Sequence, residues 1–268
     1  MIPEYKKEQL ILKANNVSLR YGDKQVLRDV NFEIHNIVRP NMQQGQVVSL
    51  IGRSGVGKTQ LFKILAGLIQ PTTGAVTIDE DQHIVKPGEI GIIPQNYILF
   101  NHRTIYQNLK IGLDFSGRKV TEKEEEQLIN EYAAKFDLTE HLKKYPVQLS
   151  GGQRQRVSII QQVLTGNKFI LLDEPFSGLD VLMIDKVIDL LLEVSCLNEM
   201  NTLIIVSHDI ENALAISDTA FIIANQPGKE GATMTETIDL ITLGFAWNKE
   251  IRQNSQFQDL VAKIKYKI

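Results

Sequence analysis

Two glycine-rich segments of this chain carry residue types that bind phosphate groups. The first reads Gly52-Arg53-Ser54-Gly55-Val56-Gly57-Lys58-Thr59 and has the spacing G-x-x-x-x-G-K-[ST]. Glycines let backbone N–H groups curl around a phosphate, while the lysine supplies a positive charge and the threonine hydroxyl a ligand for Mg2+. We expect this phosphate loop to hold a nucleotide together with Mg2+.

The second segment is Leu149-Ser150-Gly151-Gly152-Gln153, which opens a predicted helix. The free N–H groups and the positive end of a helix form an anion site. One nucleotide does not require two phosphate-binding segments from the same molecule. The second segment, called the signature below, therefore predicts a dimer.

Two acidic residues follow an apolar run. The run 169–172 reads as a buried strand and delivers Asp173 and Glu174 to its carboxyl end, which is where ligands bind in open α/β sheets. We expect Asp173 to hold the hydrated Mg2+. Glu174 is expected to order or polarise the water that attacks the terminal phosphate.

The surrounding pattern predicts the elements that hold these residues. The apolar run 47–51 before the phosphate loop indicates a buried parallel strand, and the run 61–66 after it has helical spacing. Residues 30–34 and 75–78 alternate with a period of two, which predicts an antiparallel β layer. The expected fold class is therefore α/β, with a mainly parallel sheet and an antiparallel β layer.

The composition changes between residues 96 and 149. A charged helix begins there at Thr121, and Glu124 completes the spacing of a capping box. We expect an inserted α-helical subdomain at 96–149.

The remaining chain divides around this insert. We expect a discontinuous core made of residues 1–95 and 150–244, followed by a helical tail at 245–268.

In this order, the phosphate loop, the signature and the acidic pair resemble the ATP-hydrolysing subunit of an ATP-binding cassette (ABC) transporter over about residues 15–224. The resemblance implies a P-loop NTPase core, with ATP and Mg2+ as cofactors and Glu174 as the catalytic carboxylate. Tyr21 matches the aromatic residue that stacks on adenine, and Val26 is near enough in sequence to flank the ring. Gln60 departs from the small hydroxyl residue that usually follows the metal-binding threonine.

Further positions acquire roles from the same resemblance. Gln95 matches the glutamine that links the metal to the helical subdomain, and it joins Thr59 and Asp173 as a metal ligand. Asp180 lies in a segment that resembles the loop crossing between two subunits. His208 resembles the switch histidine that touches the terminal phosphate, which makes it the second catalytic residue. The signature residues Ser150, Gly151, Gly152 and Gln153 are implied to face the nucleotide of the partner.

The resemblance also implies partners and a mechanism. The partners are a second copy or a homologous ATPase subunit, transmembrane permease subunits that dock near residues 99–106, and an extracytoplasmic solute-binding protein. ATP would close the dimer and hydrolysis would open it, which would power import. The turn at 225–229 and the short tail resemble importers of the nitrate, sulfonate and taurine group. Two alternative functions are a soluble mechanical ATPase of the same superfamily and a nucleotide-gated scaffold with little ATP turnover.

Composition excludes other classes. The 268 residues are 43% hydrophobic and carry a formal net charge of −3 with acids and bases interspersed, which argues against a nucleic-acid partner. No stretch approaches the roughly 18 apolar residues of a membrane span, and the first eight residues lack the apolar part of a signal peptide. Together with these observations, the resemblance implies a cytoplasmic protein, peripheral on the inner face of the cell membrane.

Three smaller expectations concern the cysteine, one loop and the histidines outside the motifs. Cys196, the only cysteine, is expected to pack in a helix, and residues 35–44 are expected to form a surface loop. Gln161 and Gln162 stand where the family commonly has Arg-Ala. The histidines outside the motifs are expected at the surface or in loops: His35, His83, His102 and His141.

Overall fold

The structure is a computed structural model that describes residues 5–39, 45–197, 201–248 and 250–268. Part of the predicted surface loop, residues 40–44, lies outside the described residues. The strands are β1 (Lys6–Tyr21), β2 (Lys24–Val38), β3 (Gln46–Ile51), β4 (Thr73–Ile78), β5 (His83–Ile84), β6 (Ile90–Ile93), β7 (Phe169–Asp173), β8 (Thr202–Ser207), β9 (Thr219–Asn225) and β10 (Ala232–Asp239). The helices are α1 (Lys58–Leu65), α2 (Ile105–Phe115), α3 (Glu122–Lys135), α4 (Gly151–Leu164), α5 (Val181–Ser195), α6 (Ile210–Ile216) and α7 (Ser255–Lys267).

The described strands form one ten-stranded mixed sheet in the order β5-β4-β1-β2-β10-β9-β3-β8-β7-β6. From β9 to β6 the strands pair in parallel, and β5, β4, β1 and β2 pair antiparallel. Both predicted parts of the fold are therefore present. They belong to one sheet because β10 forms a hairpin with β9 and meets β2 through a parallel pair at Ala232 and Leu27.

The central strands are buried on both faces. Every residue of β3 and of β8 is buried, as expected for parallel strands covered by helices on both sides. Alternate residues serve different cores: Val48 and Leu50 pack in the cluster that includes α1, whereas Val47 packs in the cluster with α4 and α5. This double burial fixes the strand ends that carry the predicted site residues.

The helical segment between β6 and α4 packs closely on α4. A Cβ atom at Gly112 of α2 would lie 2.3 Å from the backbone oxygen of Gln161, so only glycine permits this approach. The Gln161 side chain donates to the backbone oxygen of Asn108 at 2.8 Å, which gives the unusual glutamine a structural role. The predicted capping box of Thr121 and Glu124 is confirmed at the start of α3.

Two smaller expectations were wrong. Residues 35–38 are not a loop, because β2 continues to pair with β1 as far as Val38, opposite Lys6. Cys196 does not pack inside a helix. It is exposed at the carboxyl cap of α5, where the last turn ends.

Within the described residues, no helix is both long and apolar enough to cross a bilayer.

Candidate nucleotide-binding site

The phosphate loop joins the carboxyl end of β3 to the start of α1. Gly57 caps α1 with φ 109°, and a Cβ atom there would lie 3.0 Å from Leu27. No described side chain caps this helix, so the positive end of α1 faces the loop with backbone N–H groups. Gly52 is required for a different reason, because a Cβ atom would lie 2.4 Å from the backbone oxygen of Ile223.

Lys58 lies across its own loop. Its side chain is 7% exposed, and Nζ donates to the backbone oxygens of Gly52 at 2.9 Å and Arg53 at 3.0 Å. The same Nζ lies 3.4 Å from Oε1 of Glu174. The ammonium group is thus held at the loop by neutral carbonyls and one carboxylate.

Glu174 follows β7, which is separated from β3 by β8 alone. Its backbone has φ 50°, an uncommon angle for a residue with a side chain, and its N–H donates to the backbone oxygen of Val206 at 2.8 Å. Oε2 accepts from Ser207 Oγ at 3.2 Å, from the backbone N–H of His208 at 3.1 Å and from Nδ1 of His208 at 2.8 Å. The carboxylate therefore bridges Lys58 and His208.

Asp173 stands at the last position of β7. Burial raises the pKa of its carboxyl, and the adjacent charge of Glu174 raises it further, while Lys58 and Lys63 act in the opposite direction. A divalent cation beside Asp173 would favour the ionised form. The exposed Thr59 and the side chain of Gln95 border the same space, and such oxygen donors suit Mg2+, which keeps part of its water shell.

These residues surround one cleft with a volume of about 510 Å3. Its lining consists of Tyr21, Lys24, Val26, Ser54, Gly55, Gly57, Lys58, Thr59, Gln60, Gln95, Asp173, Glu174 and His208. Arg53 and Val56 line a smaller cavity on another side of the loop, next to Lys267. A larger cavity of about 630 Å3 beside Trp247 contains none of the predicted site residues.

Tyr21 ends β1 at the mouth of the cleft and is 53% exposed. Its hydroxyl donates to Oε1 of Gln60 at 3.0 Å. An exposed ring anchored at its polar end can present a face to a planar base. The unusual Gln60 thus holds the predicted adenine-binding residue.

Gln95 connects the cleft with the segment after Glu174. Its Nε2 donates to Ser177 Oγ at 3.1 Å, and the nearby Tyr97 hydroxyl donates to the backbone oxygen of Pro175 at 3.4 Å. Burial raises the pKa of Tyr97 to about 12, so its hydroxyl stays protonated as a donor. Hydrogen bonds therefore connect Gln95, which borders the cleft, and the nearby Tyr97 with the segment that leads into α5.

The signature forms the start of α4, outside this cleft. Ser150 Oγ accepts from the backbone N–H of Gln153 at 3.3 Å, and Gln153 Oε1 accepts from the backbone N–H of Ser150 at 2.9 Å. A Cβ atom at Gly151 would meet no atom within 4 Å. Asp180 also lies outside the cleft, where it caps α5 by accepting from the backbone N–H of Met183 at 3.0 Å. The structure brings together the phosphate loop, Asp173, Glu174 and His208, but it does not bring the signature to them.

A profile of the family described as ABC transporter matches residues 35–177. This range includes the phosphate loop, Gln95, the signature and the acidic pair. The chain belongs to the ABC transporter family. Tyr21, Val26 and His208 lie outside the matched range, so their assignment rests on the geometry of the cleft and on the resemblance of the motifs. Asp180 also lies outside this range, and its assignment rests on that resemblance alone.

Related ABC proteins differ in length. The bicarbonate transport ATP-binding protein CmpC of Synechococcus elongatus is 37% identical over 190 residues, which cover 70% of this chain but 28% of CmpC. The probable sulfate/thiosulfate import ATP-binding protein CysA of Chlorella vulgaris is 35% identical over 78% of this chain and 86% of its own length. This chain therefore spans about 28% of one such relative and most of another.

A solved structure supports the ABC fold. CbiO1 from Clostridium perfringens, described as part of the ABC transporter complex CbiONQ, matches with a TM-score of 0.72 and 26% identity. The match covers 96% of this chain and all of that one. The predicted P-loop NTPase fold is thereby confirmed.

Two residues of this ABC chain near the motifs had not been predicted from sequence. Lys24 lines the cleft, and the signal for it was its position directly after the turn that follows Tyr21. His141 was expected to be a surface or loop residue, but it is half-buried and contacts Gln153 of the signature. No sequence pattern pointed to that contact, because it joins two elements through side chains alone.

Proposed function

We propose that this chain is the ATP-binding and ATP-hydrolysing subunit of an ABC transporter that drives solute import. The observation that carries the proposal is the Glu174 carboxylate, held between Lys58 and His208 beside an uncapped helix start. The name of the relative CysA, which refers to sulfate/thiosulfate import, supports the direction of transport. The exposed Tyr21 ring offers a face on which an adenine would stack.

The contacts of Lys58 and Glu174 suggest how hydrolysis proceeds. The phosphates of ATP would take the loop N–H groups and the charge of Lys58, which now lies 3.4 Å from Glu174. Glu174 would then be free to accept a hydrogen bond from the attacking water, while His208 contacts the terminal phosphate. Mg2+, held by Thr59, Asp173 and Gln95, would offset the charge of the phosphates.

The position of the signature supports a composite site between two chains. Its helix start lies outside the cleft and is open at Gly151. Two copies arranged about a two-fold axis would each place a signature against the nucleotide of the other, since such an interface is its own complement. ATP would then close the dimer, and its hydrolysis would allow the dimer to open.

Apolar side chains around the helical segment support docking to transmembrane permease subunits. Ile98, Phe100 and Val147 are exposed by 71%, 49% and 74%, and exposed apolar side chains of this kind are suited to a protein contact when they lie together. Gln95 lies three residues before Ile98 and lines the cleft. Nucleotide turnover would affect this docking surface through Gln95.

The proposal has three further parts. The transporter also uses an extracytoplasmic solute-binding protein, and this chain lies on the inner face of the membrane. The importers of the nitrate, sulfonate and taurine group are its proposed relatives in transport.

Replacement of the carboxylate tests the assignment. Glu174→Gln should lower ATP turnover by about 10²-fold or more, because the amide cannot serve as a base. ATP binding should persist, and an ATP-dependent dimer should accumulate in light-scattering measurements. Glu126→Gln, at an exposed position of α3, is the matched control and should behave as the unmodified chain. Unchanged turnover in Glu174→Gln would remove Glu174 from the catalytic role.

A further inference from the structure

His141 contacts the signature from a neighbouring turn. It ends the short 3-10 helix Thr139–His141, and its Nε2 lies 2.9 Å from Nε2 of Gln153. Its other ring nitrogen, Nδ1, lies 2.9 Å from Nζ of Lys144. The imidazole is therefore placed between an amide and an ammonium group.

Hydrogen-bond chemistry fixes the direction of the contact with Gln153. The backbone N–H of Ser150 requires an acceptor, and Gln153 Oε1 fills that role at 2.9 Å. The NH2 group of Gln153 must then face His141, and it can only donate. The Nε2 atom of His141 is consequently the acceptor.

A neutral imidazole has one acceptor nitrogen, and both of its neighbours here are donors. Gln153 and Lys144 therefore compete for His141. The bond to Gln153 requires the ring proton on Nδ1, and the half-exposed Lys144, whose Nζ lies 2.9 Å from that nitrogen, must then turn away. The alternative ring tautomer accepts from Lys144 and leaves the Gln153 amide without this partner.

The turn that carries His141 is anchored to the helical segment. The backbone N–H groups of Ile105 and Tyr106, at the start of α2, donate to the backbone oxygens of Lys144 at 2.8 Å and Leu142 at 2.9 Å. The His141 ring thus projects from a backbone fixed on α2. Its bond to Gln153 is a side-chain link between the helical segment and the signature.

We propose that His141 is a positioning residue for the signature. His141 accepts a hydrogen bond from Nε2 of Gln153, which orients the Gln153 carboxamide so that its Oε1 accepts from the backbone N–H of Ser150. This arrangement keeps the start of α4, at Ser150 and Gly151, ordered for the nucleotide of a partner chain. The inference rests on the proposed composite ATP site. Lys144 acts against this arrangement as the competing donor.

A pair of substitutions separates positioning from simple packing. In His141→Gln the side-chain oxygen can reach the place of Nε2, whereas in His141→Asn it reaches only the place of Nδ1. The loss of one hydrogen bond predicts about a fivefold decrease in turnover at saturating ATP for His141→Asn. His141→Gln should stay within about twofold of the unmodified chain, and Lys144→Met should be no less active than the unmodified chain.

Binding of a fluorescent ATP analogue to the separate chains should be equal in all variants, because the phosphate loop is untouched. Equal turnover of His141→Asn and His141→Gln, at any level, would overturn the inference, and so would a decrease in Lys144→Met as large as that in His141→Asn. A lack of ATP turnover in the unmodified chain would instead count against the proposed ATPase.

Discussion

The two ends of the parallel strands each hold a cation, a carboxylate and a ring, but in different surroundings. At the carboxyl ends of β3, β7 and β8, Lys58, Glu174 and His208 border the open cleft. At the opposite ends, beside the starts of β3 and β9, the charged pair is Arg39 and Asp218, with Asp218 fully buried. The Arg39–Asp218 pair is therefore enclosed by packing, whereas Lys58, Glu174 and His208 face a space that can admit a ligand.

The buried Asp218 carboxylate finds its hydrogen-bond partners within the chain itself. Asp218 pairs with Arg39, accepts from the backbone N–H of Val47 at 2.8 Å, and accepts from Nε1 of Trp247 at 2.6 Å. The Arg39 guanidinium lies 5.2 Å from the centre of the Trp247 ring. Burial raises the pKa of Asp218, and the charge of Arg39 opposes this shift. These contacts hold Trp247 at φ 61°, which is unusual for a bulky residue.

The contrast shows what separates a structural cluster from a functional one. In the buried cluster the Asp218 carboxylate is held by three fixed donors, from Arg39, Val47 and Trp247, so the contacts contribute to the folded state and to the attachment of the segment around Trp247. In the cleft, the carbonyl and carboxylate contacts of Lys58 can be exchanged for those of a phosphate. Burial and access, rather than the residue types, decide the role.

The largest expected effect comes from removing the buried carboxylate charge. Asp218→Asn leaves the Arg39 guanidinium buried without its counterion, which should lower the free energy of unfolding by about 3–5 kcal/mol in urea titrations. Asp180→Asn is the matched control, because asparagine caps a helix as well as aspartate does. A loss below about 1 kcal/mol in Asp218→Asn would show that the buried pair does not stabilise the fold as argued.

The corresponding change in the cleft should affect activity instead. His208, whose side chain is 51% exposed, contributes little buried surface, so His208→Ala should leave the unfolding midpoint nearly unchanged. ATP turnover should fall by about 10²-fold. The exposed His102 provides the control as His102→Ala. A large loss of stability with full specific activity in the folded fraction would reverse the contrast.

A smaller effect is expected from the ring of the buried cluster. Trp247→Phe removes the indole N–H donor to Asp218 but keeps an aromatic ring beside Arg39, which predicts a loss of about 1 kcal/mol in unfolding free energy. ATP turnover should not change. Circular dichroism is the suitable probe, because Trp247 is the only tryptophan. Reduced turnover without a change in stability would imply that the two ends of the strands are coupled.

Local patterns predicted the cleft well. The phosphate loop, the strand before it and the helix after it are consecutive in sequence, and the acidic pair follows its own strand directly. The predicted capping box of Thr121 is also local, because its partner Glu124 is only three positions further along the chain. Such features require only backbone geometry and near neighbours, which is why the sequence predicts them.

Contacts between distant side chains were not predictable in the same way. Arg39 and Asp218 are 179 residues apart, and the segment before residue 40 read as a surface loop until the structure placed it in β2. The His141–Gln153 contact spans only 12 residues, but it depends on how a 3-10 turn is anchored to α2. Neither pairing leaves a periodic signal, because each is decided by packing between elements.

The central claim, that the cleft is one half of an ATP site completed by the signature of a second chain, is tested most directly by mixing two inactive variants. Lys58→Ala disables the phosphate loop, and Gly151→Asp places a carboxylate on the signature at a position where a side chain meets no atom within 4 Å. Each variant alone should have little turnover.

A mixed dimer of these variants contains one site with both changes and one site with neither. Half of the dimers in an equal mixture are mixed, so we predict recovery to about a quarter of the turnover of the unmodified chain. If the mixture instead stays as inactive as its components after subunit exchange, the phosphate loop and the signature do not act across two chains, and the account is contradicted.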